Sequence, residues 1–155
     1  MSTPTMTVIM LALLLSRQVS AADSAAPSLS DAERSAAFQA AGFKLKGKDY
    51  VRCEEDTPTA SYQPGNLQGM DLNKDGRPEA WITESSMFCY GSPHILFVLL
   101  TREVSGSWRK LIDVEGDASS TAAVHGGWPD IELGGPGSGP FPTYQWNGKG
   151  YALAR

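Results

Sequence analysis

Nine consecutive residues, Asp71-Leu72-Asn73-Lys74-Asp75-Gly76-Arg77-Pro78-Glu79, place oxygen-bearing side chains at alternate positions and a glycine where a short loop must turn back on itself. Alternation turns successive side chains toward one centre, and a hard cation such as Ca²⁺ takes six to eight oxygens. Asp71, Asn73 and Asp75 are candidate side-chain ligands, Arg77 a carbonyl ligand and Glu79 a further carboxylate. A helix–loop–helix calcium site would need glutamate at the twelfth position, where this chain has Ile82. Pro78 and the Trp81-Ile82-Thr83 stretch favour extended flanks, so the expected setting is strand–loop–strand. The competing reading is an Asx-rich turn without an ion, since Asp, Asn and Gly favour turns in any case.

An apolar run from Thr7 to Leu15 precedes Val19-Ser20-Ala21, a small-residue cleavage site of the secretory kind. The run is too short to span a bilayer as a helix. The expected organisation is a signal peptide over 1–21, a flexible leader over 22–29 and one β-rich domain over 30–155. The product would be periplasmic or secreted, with no membrane span after cleavage. Removing 21 of 155 residues leaves 134, enough for one domain with a real core. Arg17 leaves with the signal, so 12 basic residues face 17 acidic ones and the net charge is −5. That balance argues against nucleic acid or an anionic membrane surface as partner. Cys53 and Cys89 are the two cysteines, and export predicts one structural disulfide between them. The chain segment it closes contains the whole Asp71–Glu79 run, so the bridge is expected to brace the flanks of the cation loop.

Ser30-Asp31-Ala32-Glu33 has the capping-box pattern, alanines continue a helix from there, and Gly42 is its natural stop. Strands are expected near Tyr50–Glu54, Leu67–Leu72, Glu79–Glu84, Ile95–Arg102, Trp108–Val114, Pro129–Leu133, Thr143–Trp146 and Tyr151–Ala154. The unbroken apolar run Ile95–Leu100 predicts a central strand buried on both faces. Gly76-Arg77-Pro78-Glu79-Ala80 has an echo in Gly127-Trp128-Pro129-Asp130-Ile131, 51 positions later. The fold class expected is mainly β with one N-terminal helix, built from antiparallel β-meander units in a propeller-blade-like or sandwich arrangement. The same offset carries Asp71, Asn73 and Asp75 onto Ala122, Val124 and Gly126, which leaves the second unit without a cation loop.

The Asp71–Glu79 loop resembles the calcium loops of FG-GAP/VCBS-type repeats, and the similar loop of bacterial periplasmic lysozyme inhibitors of the invertebrate-lysozyme class. Ala37–Gly42, Asp71–Trp81, Phe88–Gly91, Trp108–Leu111, Gly126–Gly137 and Trp146–Leu153 are similar to a family of small, uncharacterised secreted proteobacterial proteins. The inhibitor resemblance implies a protein partner, a peptidoglycan hydrolase, blocked by a loop inserted into its cleft. Candidate loops are Ser85–His94, with Phe88, Tyr90 and His94, and His125–Phe141, with Trp128. Core or edge packing is the alternative role for each of these residues. His94 and His125 lie in no metal-ligand spacing, and no H-E-x-x-H or G-x-S-x-G pattern occurs. The glycines from Gly134 to Gly139 lead into prolines rather than a helix, so they form no phosphate loop. These features predict an exported, calcium-binding, non-enzymatic binding protein. The alternatives are a calcium-stabilised envelope module that binds glycan or another envelope protein, and a small hydrolase.

Overall fold

The structure, a computed structural model, describes residues 28–54, 61–92, 94–134 and 140–154. The predicted signal peptide, leader residues up to 27 and the centre of the glycine–proline loop (135–139) lie outside the described residues. Within them are helix α1 (Asp31–Ala40) and strands β1 (Lys44–Lys46), β2 (Asp49–Val51), β3 (Gln63–Met70), β4 (Glu79–Ser85) and β5 (Ile95–Arg102). These are followed by β6 (Trp108–Glu115), β7 (Asp117–His125), β8 (Trp128–Gly134), β9 (Thr143–Trp146) and β10 (Tyr151–Leu153). Strands β3 to β6 pair in chain order as one antiparallel meander, β7 to β10 as a second, and β1–β2 is a separate hairpin. The fold is mainly β with one helix, as the strand and turn pattern predicts.

The helix begins where its capping box says it should. The Ser30 hydroxyl accepts from Glu33 N–H, and the Glu33 carboxylate accepts from Ser30 N–H at 2.8 Å. Those Ser30 bonds, aided by Arg102, hold the Glu33 carboxyl below its ordinary range. Phe38 is buried, stacked on Tyr50 and edge-on to Phe43. Leu29, assigned from sequence to the flexible leader, packs against this same cluster.

Strand β5 divides the core by simple alternation. Leu96, Val98 and Leu100 join the helix-side cluster with Ala37, Phe38 and Ile82. Phe97 and Leu99 point the other way and meet Ile131 and Leu133 of β8, with Tyr144 and Tyr151 packed against them. The result is three layers: helix, first meander, second meander. Gly65 in β3 lies so close to the helix layer that a Cβ there would sit 2.8 Å from ring carbons of both Phe38 and Phe43.

Two strands have no counterpart among the expected ones. β1 is only Lys-Leu-Lys. β7, Asp-Ala-Ser-Ser-Thr-Ala-Ala-Val-His, is the exposed edge of the second meander and shows no apolar alternation. Pairing to β8 makes it a strand, across a register shift between Ser120 and Val124.

Candidate functional site

Strand β4 separates two regions that lie together within the Cys53–Cys89 span of the sequence. The Asp71–Glu79 loop leads into its first residue, and the Ser86–Cys89 segment leaves its last. Seven extended residues put these ends roughly 20 Å apart. The Cys53–Cys89 disulfide forms, with Cα atoms 6.0 Å apart. It fastens the far end of β4, not the flanks of the cation-type loop as expected from enclosure in sequence. A strand that crosses the whole sheet lies between.

At the near end the loop is tightly wound. Lys74 and Gly76 both take positive φ, 60° and 82°, which folds the chain back over Asp71. Asp71 accepts from Asp75 N–H and Gly76 N–H, each at 3.1 Å. Asn73 Oδ1 accepts from Asp75 N–H at 3.0 Å, and Asp75 Oδ1 from Arg77 N–H at 2.8 Å. The Arg77 guanidinium pairs with the remaining Asp75 oxygen. Glu79 is fully buried, and its oxygens accept from Leu72 N–H at 2.8 Å and Thr101 Oγ1 at 3.0 Å. Burial pushes its carboxyl up to about 7; the Leu72 and Thr101 bonds oppose the shift, and the Asp75 and Asp71 charges add to it. Among the described residues no group of three or more His, Cys, Asp or Glu side chains converges to hold a metal. A cation here would therefore depend on the Asn73 amide and the Arg77 carbonyl as well as Asp71 and Asp75, with Glu79 anchoring the loop to β5.

The far end is a pinned loop. Ser86 N–H donates to His94 O at 2.8 Å, closing its base, and Cys89 N–H donates to Ser86 Oγ at 3.0 Å. Glu84, 1% exposed, is the hub. It accepts from Arg52 N–H at 2.9 Å, Cys53 N–H at 3.1 Å, the Tyr62 hydroxyl at 2.8 Å and the Tyr90 hydroxyl. Burial, then the Glu84 bond, drive the Tyr90 phenol well above its ordinary range. Tyr90 is therefore an anchor within the core, not a presented contact. Phe88 is 69% exposed and Met87 58%, and His94 is exposed with φ of 57°.

Trp128, the remaining expected contact residue, lies elsewhere. It is buried, stacked on Trp146 at 4.5 Å with Tyr151 edge-on to both. Its place is the cation-loop end: burial, Glu79 and Asp130 together raise the Tyr151 phenol, and Tyr151 donates to Pro129 O at 2.6 Å. Beside it the buried Asp130 bonds His125 Nδ1 at 2.6 Å and accepts from Gln145 Nε2 at 2.9 Å. No motif in the sequence marks this cluster; its one signal is the 51-residue offset, which sets Asp130 over Glu79. Both acids sit at or near the start of the second strand of a meander. Each bonds the third strand through Thr101 or Gln145 and reaches back to the preceding loop or hairpin.

No family model, curated protein or solved structure matches the chain. Its chemistry has to be taken from its own geometry. That geometry offers a wound polar loop at one end and, at the other, two large apolar side chains on a loop held by a disulfide and a buried hydrogen-bond hub.

Proposed function

We propose that this is an exported, non-enzymatic binding protein that engages a protein partner through the Ser85–His94 loop. The observation that carries the reading is the exposure of Phe88 and Met87 on a segment that is otherwise fastened down. A preorganised loop loses little entropy on docking, and a projecting aromatic ring is the usual anchor in a partner's recess. The inhibitor resemblance names the partner class as a peptidoglycan hydrolase. In this reading Asp71, Asn73, Asp75 and the Arg77 carbonyl hold Ca²⁺, which stiffens the opposite end and takes no part in chemistry.

The test is to titrate lysozymes of several classes, and hydrolases captured from an envelope extract, with the calcium-loaded, oxidised protein. The expected result is stoichiometric loss of lytic activity against at least one enzyme. Phe88→Ala should weaken that inhibition by about 30-fold, the size of a central aromatic anchor. Two outcomes would overturn the proposal: no enzyme inhibited by folded protein, or Phe88→Ala inhibiting as well as the parent. Retention on peptidoglycan without inhibition would favour the envelope-module alternative.

A further inference from the structure

Helix α1 does not cover the whole of the sheet face beneath it. Beyond its C-terminus a cleft of about 360 Å³ opens between Arg52, Tyr90, Leu96, Asp113, Val114 and Glu115. That volume suits a small ligand. Leu96 and the Tyr90 ring, both nearly buried, provide apolar lining. Arg52 Nη1 donates to Asp113 Oδ1 at 2.8 Å and to Ala41 O at 3.3 Å. Its Nε and Nη2 have no protein partner among the described residues, and the side chain is one-third exposed.

The acids of the cleft are not equivalent. Asp113 has one oxygen on Arg52 and the other on Lys110 Nζ at 2.6 Å. Burial pushes its carboxyl up, but those two cations outweigh it and hold the group below the ordinary carboxylate range. Glu115 is exposed, and among the described residues its carboxylate has no ion-pair partner. The cleft thus offers spare guanidinium N–H donors, an unpaired carboxylate and an apolar wall. A phosphate would meet one already paired arginine beside two carboxylates. A bare metal cation would meet that arginine.

We propose that the cleft binds a zwitterion: a free α-amino acid with an apolar side chain, its carboxylate on Arg52, its ammonium on Glu115 and its side chain against Leu96 and Tyr90. The site uses none of the exposed side chains of the Phe88 loop, so it stands or falls apart from the partner-binding proposal.

Amide NMR spectra of the full chain, titrated with L-leucine, N-acetyl-L-leucine and L-leucinamide, test it. Leucine should give saturable shifts at the Tyr90, Leu96 and Glu115 amides. Each blocked analogue should bind about five-fold more weakly, as expected for one partly exposed ion pair. Glu115→Gln, a change at an exposed position, should weaken leucine and leucinamide by that factor and leave N-acetyl-leucine unchanged. The proposal is overturned by absence of saturable shifts, by equal binding of all three compounds, or by a Glu115→Gln variant that binds leucine like the parent.

Discussion

Replacing Glu84 by glutamine tests whether one carboxylate side chain holds the disulfide end together. Oε1 serves Arg52 N–H and the Tyr62 hydroxyl, while Oε2 serves Cys53 N–H and the Tyr90 hydroxyl. Glutamine keeps the volume but exchanges one accepting oxygen for an NH₂ that only donates. Whichever way the amide turns, one backbone N–H then faces a donor, while the tyrosine hydroxyl beside it can accept from the NH₂ but must aim its own proton elsewhere. A buried donor stripped of its acceptor costs about 1–3 kcal/mol. The NH₂ can turn toward Tyr62, which is only half-buried and can point its proton to water, so the expected loss is that of one buried donor, about 1–3 kcal/mol. Urea unfolding of the oxidised protein, followed by tryptophan fluorescence, reads this directly. With a slope of about 2 kcal/mol per molar, the midpoint should fall by about 0.5–1.5 M. Tyr90→Phe removes one donor and leaves both acceptors, so it should cost only about 1 kcal/mol. A Glu84→Gln loss below about 1 kcal/mol, with the disulfide intact, would refute the hub.

Calcium at about fifty times its dissociation constant should stabilise the fold by roughly 2 kcal/mol, read as a rise in Tm over the chelated protein. Asp75→Ala should abolish that rise, and an unchanged response would remove Asp75 from the ligand set. Gly65→Ala should destabilise by about 1–3 kcal/mol because its methyl meets two rings of the helix layer, and a neutral outcome would mean those rings move freely. Asp113 titrates below its unfolded value, so its contribution is present above the ordinary carboxylate range and lost as pH falls through the lower folded value. Parent and Asp113→Asn should therefore differ in stability at pH 6 and converge in strong acid; a gap that persists there would assign the effect to packing.

What was legible in the sequence follows from how local each determinant is. The capping box and the two-faced burial of Ile95–Leu100 depend on neighbouring residues, and they appear where expected. Strand β7 was not legible, because small polar residues become a strand only by pairing with β8. The site divided in the same way. Cys53 and Cys89 could be paired by count, but which end of β4 they fasten depended on the path of the strand. Phe88 and Tyr90, two residues apart, have opposite fates because the Tyr90 hydroxyl reaches Glu84 and the Phe88 ring has nothing equivalent to reach.

Strand order within each meander also says how the chain can fold. Every strand of the two four-stranded sheets pairs only with its neighbours in sequence, so each half is assembled from short loop closures and should form quickly. Both cysteines lie in or before the first half. Oxidation thus needs only residues as far as β6, and the thiols can be joined before β7 to β10 dock on the finished sheet. A chain emerging N-terminus first would meet its oxidant with the cysteine pair already placed and the second meander still to come.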